Sequence, residues 1–320
     1  PSGAIYKRGE DGVVLINQEA CRGWRMCVTA CPYKKTYYNW STGKSEKCIL
    51  CFPRIEAGLA PACMHSCVGR ICYLGVVLYD ADQIKEVASA PDDQLINRHL
   101  DMLLDPFDPE VIRAAKSNGI ADSTLDAAQK SPVYRFVKTF GLALPLHAEY
   151  RTLPMLFYVP PLLPVTAAVK HVDRGEAGKS LDPIAKFWVD NWVYDTSTEG
   201  IWGKVEQYRF PLKYMANLFT AGDEKAMKLR LERLMAVRIH RRAVTVGDIS
   251  REHADGVLRS VGLDAQTADE IYYLTSLAKF EDRSSADKNP NAAAELNRLK
   301  ASALRRYEPS YVVSLVKPGT

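Results

Sequence analysis

An α+β fold is predicted by this 320-residue sequence, with a cysteine-rich region of short hairpins and helical turns ahead of a mostly helical region. Two observations predict it. All eight cysteines fall between Cys21 and Cys72, in a stretch dense in Gly, Pro and Lys. From about residue 81 the apolar residues take helical spacing, and capping residues and prolines stand at segment starts. The composition, 47% hydrophobic and 25% charged, is that of a globular chain. A net charge of +4, with acids and bases mixed, gives no argument for nucleic acid.

Residues 3–17 read as a hairpin. Ala4-Ile5-Tyr6 and Val13-Val14-Leu15-Ile16 are the strands, and Gly9-Glu10-Asp11-Gly12 supplies turn chemistry. Gly75 to Tyr79 reads as the last strand of the first region. Asp108-Pro109-Glu110 is an N-cap with proline at the first helical position, and Gly119 closes that helix. Ser131-Pro132 opens another helix in the same way. Thr152 to Val169 is the longest uncharged run, but Pro154, Pro160, Pro161 and Pro164 deny it a regular spanning helix. It is expected to be an apolar docking loop. Residues 173–205, mixed and rich in Gly, Asp and Trp, read as an irregular insertion.

Asp223 to Arg242 is the clearest helix. Met227, Leu231, Leu234 and Met235 form one apolar face; Lys225, Lys228, Arg230, Arg233, Arg238, Arg241 and Arg242 form the other, read as a solvated face ahead of a contact with a partner or acidic lipid. Residues 248–262 and 264–278 predict two more helices, the first closed by Gly262. The expected division is 1–80 for the cysteine-rich region, 81–283 for a helical docking region and 284–320 for a peripheral tail.

The cysteines carry the chemistry. Eight thiols confined to one stretch of a large chain argue for metal rather than a disulfide framework. Cys21-x5-Cys27-x3-Cys31-Pro32 follows the outer spacing of the ferredoxin motif C-x2-C-x2-C-x3-C-P, with Trp24 where the second cysteine belongs. Indole cannot ligate iron as thiolate does, so the expectation is a three-iron 3Fe-4S cluster held by Cys21, Cys27 and one cysteine from elsewhere. The opening Pro1-Ser2-Gly3-Ala4-Ile5 resembles the residues after the last cysteine of such a motif, which places the expected third ligand just before Pro1.

A second group reads Cys48-x2-Cys51-x11-Cys63-x3-Cys67. Cys48, Cys51 and Cys63 could share one cluster while Cys67 serves a neighbour. By itself this spacing could also close a four-thiolate zinc site. Trp24 and Cys31-Pro32 make no sense for zinc, so the cluster reading is favoured. Cys72 lies outside both patterns and reads as a structural thiol. Arg22, Arg25, Lys34, Lys35, Lys44, Lys47, Arg54 and Arg70 would offset the negative charge of clusters and raise their potentials. Tyr33, Tyr37, Tyr38, Trp40 and Phe52 are expected to shield the sulfurs.

Cys21-Arg-Gly-Trp24-Arg-Met-Cys27, Cys31-Pro-Tyr-Lys-Lys and Gly43-Lys-Ser-Glu-Lys-Cys48 closely resemble the beta subunit of membrane-bound respiratory nitrate reductase. The related beta subunit of nitrite oxidoreductase is similar. Cys67-Val-Gly-Arg70, Tyr73-Leu-Gly-Val-Val-Leu-Tyr-Asp-Ala-Asp82, Ser131-Pro-Val-Tyr134, Leu142-Ala-Leu-Pro-Leu-His147, Glu149-Tyr-Arg-Thr-Leu-Pro154 and Tyr158-Val-Pro-Pro161 share the resemblance, which reaches about residue 280.

The resemblance implies a ferredoxin-like fold for the first region and a non-catalytic electron-transfer subunit. Three 4Fe-4S clusters and one 3Fe-4S cluster would need about 15 cysteines; this chain has seven in pattern, so it is expected to be an N-terminally truncated piece of the subunit. Cys21 and Cys27 would belong to the 3Fe-4S cluster and Cys31 to the adjacent 4Fe-4S cluster. Cys48, Cys51 and Cys63 would belong to a second 4Fe-4S cluster, and Cys67 to the third. The implied partners are an alpha subunit bearing the molybdenum cofactor, where nitrate is reduced, and a membrane gamma subunit bearing haem b. In nitrite oxidoreductase the flow is reversed. The implied location is a membrane surface reached through a partner, the cytoplasmic face ahead of the opposite one, with no transmembrane segment in this chain.

Overall fold

A computed structural model describes residues 2–8, 12–57, 59–154, 156–161, 209–247, 249–277 and 314–316. The expected insertion at 173–205 lies outside the described residues. The chain opens with β1 (Ile5–Lys7) and β2 (Val14–Ile16), an antiparallel pair in which Tyr6 faces Leu15. This is the predicted hairpin, its first strand set one residue later than the apolar pattern suggested.

The cysteine stretch continues through α1 (Met26–Ala30), β3 (Thr36–Asn39), β4 (Lys44–Lys47), α2 (Phe52–Glu56) and α3 (Ala62–His65). The β3–β4 hairpin was not predicted, because its residues are polar on both faces and show no alternation. Gly43 makes its turn with φ 67°, and Gly43 N–H donates to Asn39 O at 2.9 Å.

β5 (Cys72–Tyr73) and β6 (Leu78–Asp80) then carry the chain into the core. The predicted Gly75–Tyr79 strand is realised only at its end, in β6, behind a buried connection from β5. Gly75 explains the break: a Cβ there would lie 2.1 Å from Ser131 Oγ, so the chain passes too close to its neighbour to stay in a ladder.

Six helical or strand segments follow: α4 (Ile84–Ser89), α5 (Asp92–Asp101), β7 (Leu103–Leu104), α6 (Pro109–Ser117), α7 (Asp122–Lys130) and α8 (Pro132–Tyr134), the last running into a π-helical turn at Arg135–Thr139. The predicted caps are present. Asp108 accepts from Glu110 N–H at 2.8 Å, and Ser131 accepts from Val133 N–H at 3.3 Å. β8 (Phe157–Tyr158) pairs antiparallel with β5, setting Cys72 opposite Tyr158. This corrects the docking-loop reading for part of the uncharged run. Phe157 and Val159 are buried, so that stretch is apolar because it lies in this chain's own core.

The helical region closes with α9 (Arg209–Phe219), α10 (Glu224–Thr245), α11 (Arg251–Ser260) and α12 (Ala265–Tyr272), which ends in a π-helical turn at Tyr273–Leu277. Within the predicted tail, β9 (Ser314–Val316) pairs in parallel with β6, whose other edge takes β7. No described helix is long and apolar enough to cross a membrane.

The main core joins Tyr73, Val77 and Tyr79 to Phe136, Phe140, Leu142 and Leu144, and then to Met227, Leu231 and Ile271 from the final helices. Tyr73 and Phe136 rings lie 4.3 Å apart, and Phe136 meets Phe140 edge-on at 5.5 Å. Tyr79 is buried but its hydroxyl donates to Pro154 O at 2.9 Å, so the polar end does not oppose burial.

The basic face of α10 is corrected in part. Arg230 is buried, and burial lowers its guanidinium to about 10. Arg233 reaches inward, with Nε donating to Val261 O at 3.1 Å and a terminal nitrogen to Phe140 O at 2.9 Å. Arg233 satisfies carbonyls where neighbouring segments end, and Arg230 donates to Ala226 O of its own helix at 2.7 Å; charge patterning cannot separate either role from a solvated face.

Candidate metal centre

All eight cysteines are free thiols. Cys21 lies buried before a turn in which Gly23 (φ 70°) and Arg25 (φ 61°) adopt left-handed backbone on either side of Trp24. Gly23 is required twice: its φ favours glycine, and a Cβ would lie 2.5 Å from Gly43 O. Ser45 N–H donates to Cys21 Sγ at 3.5 Å. Backbone N–H groups of Ser45 and Gly23 hold the Cys21 thiol below its usual range against a smaller opposing effect of burial. Lys44 Nζ donates to Cys21 O at 2.6 Å.

Cys27 sits in α1, and its carbonyl accepts from Cys31 N–H at 3.1 Å and from the Thr36 hydroxyl at 2.8 Å. Cys31 begins a tight turn closed by Lys34 N–H to Cys31 O at 3.1 Å, with Lys34 at φ 51°. Cys48 Sγ accepts from Leu50 N–H at 3.3 Å. Leu50 (φ 54°) and Cys51 (φ 48°) are both left-handed, and Cys51 caps α2.

Cys63 lies in α3, and Cys67 follows its end. Cys67 Sγ accepts from Ile71 N–H at 3.3 Å, with Arg70 at φ 50° between them. Burial opposes ionisation of Cys67, but N–H groups of Ile71, Cys72 and Arg70 outweigh it and hold the thiol below its usual range. Five of the eight described non-glycine residues with positive φ lie within this cysteine stretch. Each costs on the order of 1–3 kcal/mol. The conformation turns successive N–H groups into a concavity suited to negative charge.

The structure brings some of these thiols together. Cys31 and Cys48 both interact electrostatically with the Lys47 ammonium, whose proton affinity is lowered mainly by burial. Tyr158 feels Cys72, Cys63 and Cys48, although burial is the main cause that pushes its phenol to about 12. The Cys72 thiol hydrogen-bonds with Cys67 and is pushed to about 11, chiefly by burial. Cys72 is therefore part of the same neighbourhood, a position that sequence spacing outside both motifs did not indicate. Among the described residues, no three His, Cys, Asp or Glu side chains converge as a closed metal site.

The donor chemistry fits thiolate-held clusters. Backbone N–H groups already point at the Cys21, Cys48 and Cys67 sulfurs. A buried terminal nitrogen of Arg70, beside Cys67, has no hydrogen-bond partner among the described residues. An unsatisfied buried guanidinium N–H is costly, and acceptor sulfurs of a bound anionic cluster would relieve that cost.

Two expectations about the surroundings are corrected. Tyr37 is 54% exposed and Trp40 79% exposed, so neither seals the sulfurs from water. Trp40 instead meets Tyr38 edge-on at 4.9 Å, and Arg25 lies over both rings at 5.4 and 5.3 Å. Trp24 is itself 59% exposed. Several of the predicted tuning cations also serve as clamps: Lys34 Nζ donates to Thr29 O at 2.9 Å, Arg54 Nε to Ala60 O at 2.9 Å, and Lys47 Nζ to Val14 O.

Comparison with known proteins matches residues 1–77 to a family model described as a 4Fe-4S dicluster domain. Residues 181–265 match one described as respiratory nitrate reductase beta C-terminal. The chain is 51% identical over 284 residues to the respiratory nitrate reductase 1 beta chain of Escherichia coli (strain K12), covering 88% of this chain and 51% of that one. It is 45% identical over 285 residues to the nitrate reductase beta chain of Bacillus subtilis (strain 168), covering 88% and 54%. It is 37% identical over 285 residues to the respiratory nitrate reductase beta chain of a Bradyrhizobium species, covering 88% and 74%. The chain spans about half the length of the first two relatives.

Proposed function

This chain belongs to the family of respiratory nitrate reductase beta chains, and from that premise we propose that it is part of an electron-transfer subunit that relays electrons towards a nitrate-reducing catalytic subunit. The observation that carries the proposal is the set of cysteine sulfurs already hydrogen-bonded by backbone N–H groups, in the stretch matched by the dicluster model. Bound iron–sulfur clusters would supply one-electron carriers.

The protein's own residues hold and tune those carriers. Cys21 and Cys27 would ligate a 3Fe-4S cluster, with Trp24 standing where a fourth thiolate would otherwise reach iron. Cys31 would ligate the adjacent 4Fe-4S cluster. Cys48, Cys51 and Cys63 would serve a second 4Fe-4S cluster, and Cys67 a third. Four clusters are proposed for the complete subunit, with further ligands from outside this chain segment. Ser45, Leu50 and Ile71 N–H groups stabilise negative charge on sulfur and thereby favour the reduced state.

The proposed partners are a molybdenum-bearing alpha subunit and a membrane gamma subunit with haem b, the complex lying at the cytoplasmic face. This subunit would perform no bond chemistry on nitrate. Direction of flow follows from the potentials of the partners, so the same residues would serve the reverse relay of nitrite oxidation.

Iron and acid-labile sulfide analysis of the full-length chain, together with electron paramagnetic resonance, tests the proposal. It expects iron and sulfide in near-equal amounts and a 3Fe-4S signal in the oxidised protein. Zinc without sulfide would refute it.

A further inference from the structure

The motif Leu142 to Pro154 lies far from every cysteine in sequence, yet it builds a receptor for the residue two positions after Cys31. The Tyr33 hydroxyl lies 2.6 Å from Thr152 Oγ1 and 3.5 Å from Leu146 O. The phenol can accept from Thr152 while donating to the Leu146 carbonyl. Its ring meets Tyr150 edge-on at 4.8 Å and His147 at 6.1 Å. His147 and Tyr150 stack on each other at 4.8 Å with 15° between planes.

The receptor is held rigidly. His147 Nδ1 lies 2.7 Å from Glu149 Oε1, and His147 N–H donates to Leu218 O of α9 at 2.8 Å. Arg151 fixes the far side by donating to Ala88 O at 3.0 Å, to Ala90 O at 2.6 Å and to Asp92 at 2.7 Å. His147 (φ 53°) and Arg151 (φ 56°) both hold left-handed backbone without being glycine. Strain retained at two such positions indicates that the turn between them is over-determined by its surroundings.

Tyr33 belongs to the tight turn that starts at Cys31 and closes at Lys34. Immobilising its side chain therefore immobilises the turn carrying the Cys31 sulfur. Resting on the cluster reading above, we propose that Tyr33 is a positioning residue for Cys31, seated in the Thr152–Leu146 receptor, and that this seat sets the reduction potential of the 4Fe-4S cluster that Cys31 ligates. The physical route is exclusion of water. A loosened turn exposes the sulfur, and solvent favours the more negatively charged reduced cluster.

The test is a potentiometric titration, followed by electron paramagnetic resonance, of the full-length chain purified with its partners. Tyr33→Phe and Thr152→Val should each move one 4Fe-4S centre to higher potential and leave the other centres in place. The double variant should move it no further than Tyr33→Phe alone, because that change already removes the bond to Thr152. Thr152→Ser keeps the hydroxyl and should restore the parent potential. Thr152 touches no cysteine, so this arm remains informative if Tyr33→Phe fails to assemble. Assembled centres with unmoved potentials in both single variants would overturn the proposal, as would a Thr152→Ser shift equal to that of Thr152→Val. Cys31→Ser separates the two layers: if it leaves every 4Fe-4S centre unchanged, the ligand assignment fails and the positioning role falls with it.

Discussion

Cys21, Cys48 and Cys67, the proposed ligands, each combine a sulfur with a local backbone that turns an N–H group toward it. The left-handed residues between them do the turning, at a conformational cost that useful electrostatics offset. Trp24 is the clearest test at this scale. It occupies the position where a ferredoxin motif has cysteine, between two left-handed neighbours that already bring the backbone round. Trp24→Cys is expected to convert the proposed three-iron centre toward 4Fe-4S, read as loss of the oxidised-state resonance signal with added iron. An undiminished three-iron signal would remove Trp24 from this account.

At the scale of elements, the helices owe their ends to side chains and their packing to arginines turned inward. Arg233 of α10 ties the carbonyls of Phe140 and Val261 to one guanidinium, linking three segments. Arg233→Ala should cost about 1–3 kcal/mol in denaturant unfolding, since buried acceptors lose their donor. Lysine should rescue little, because an ammonium on a flexible stem does not span two carbonyls as the planar fork does. Asp264 caps α12 by accepting from Thr267 N–H at 2.7 Å, and that bond holds its carboxyl below the usual range. A depressed folded-state pKa contributes stability above the unfolded value near ~4. That contribution is lost as pH falls through the folded pKa. Asp264→Asn should therefore flatten the decline in melting temperature between about pH 5 and pH 2, and parallel melting curves of variant and parent would count against the cap.

For the whole molecule, apolar burial is unevenly distributed. The main core runs from Tyr73 to Leu274, whereas among the described residues the first region contributes nothing before Tyr73 to a core cluster and buries scattered side chains such as Val13, Leu15, Ile55 and Met64. On the proposed cluster reading, order in that stretch would depend on ligation, since bound metal contributes folding free energy. Removing iron by oxidation and chelation should make residues between about 20 and 70 the first sites of protease cleavage, while the helical region persists as a protected fragment. Mass spectrometry of the early fragments checks this; first cuts within 210–277 would contradict it.

The cysteine spacing, the Trp24 substitution and the caps at Asp108 and Ser131 were legible in sequence because each is a local pattern: ligand intervals, turn chemistry and hydrogen bonds within two residues. The β3–β4 hairpin was not legible, since a polar strand pair carries no apolar alternation. The inward direction of Arg230 and Arg233 was equally hidden, because a basic face reads the same whether it meets water or carbonyls. The sequence by itself determined the α+β class and the family resemblance, and it supplied the cysteines proposed to meet iron. Only the tertiary structure decided that the apolar run around Phe157 is a core strand, that Tyr37 and Trp40 face water, and that Tyr33 sits in a receptor built more than a hundred residues away. Those outcomes depend on which distant segments pack together, and no local spacing encodes that choice.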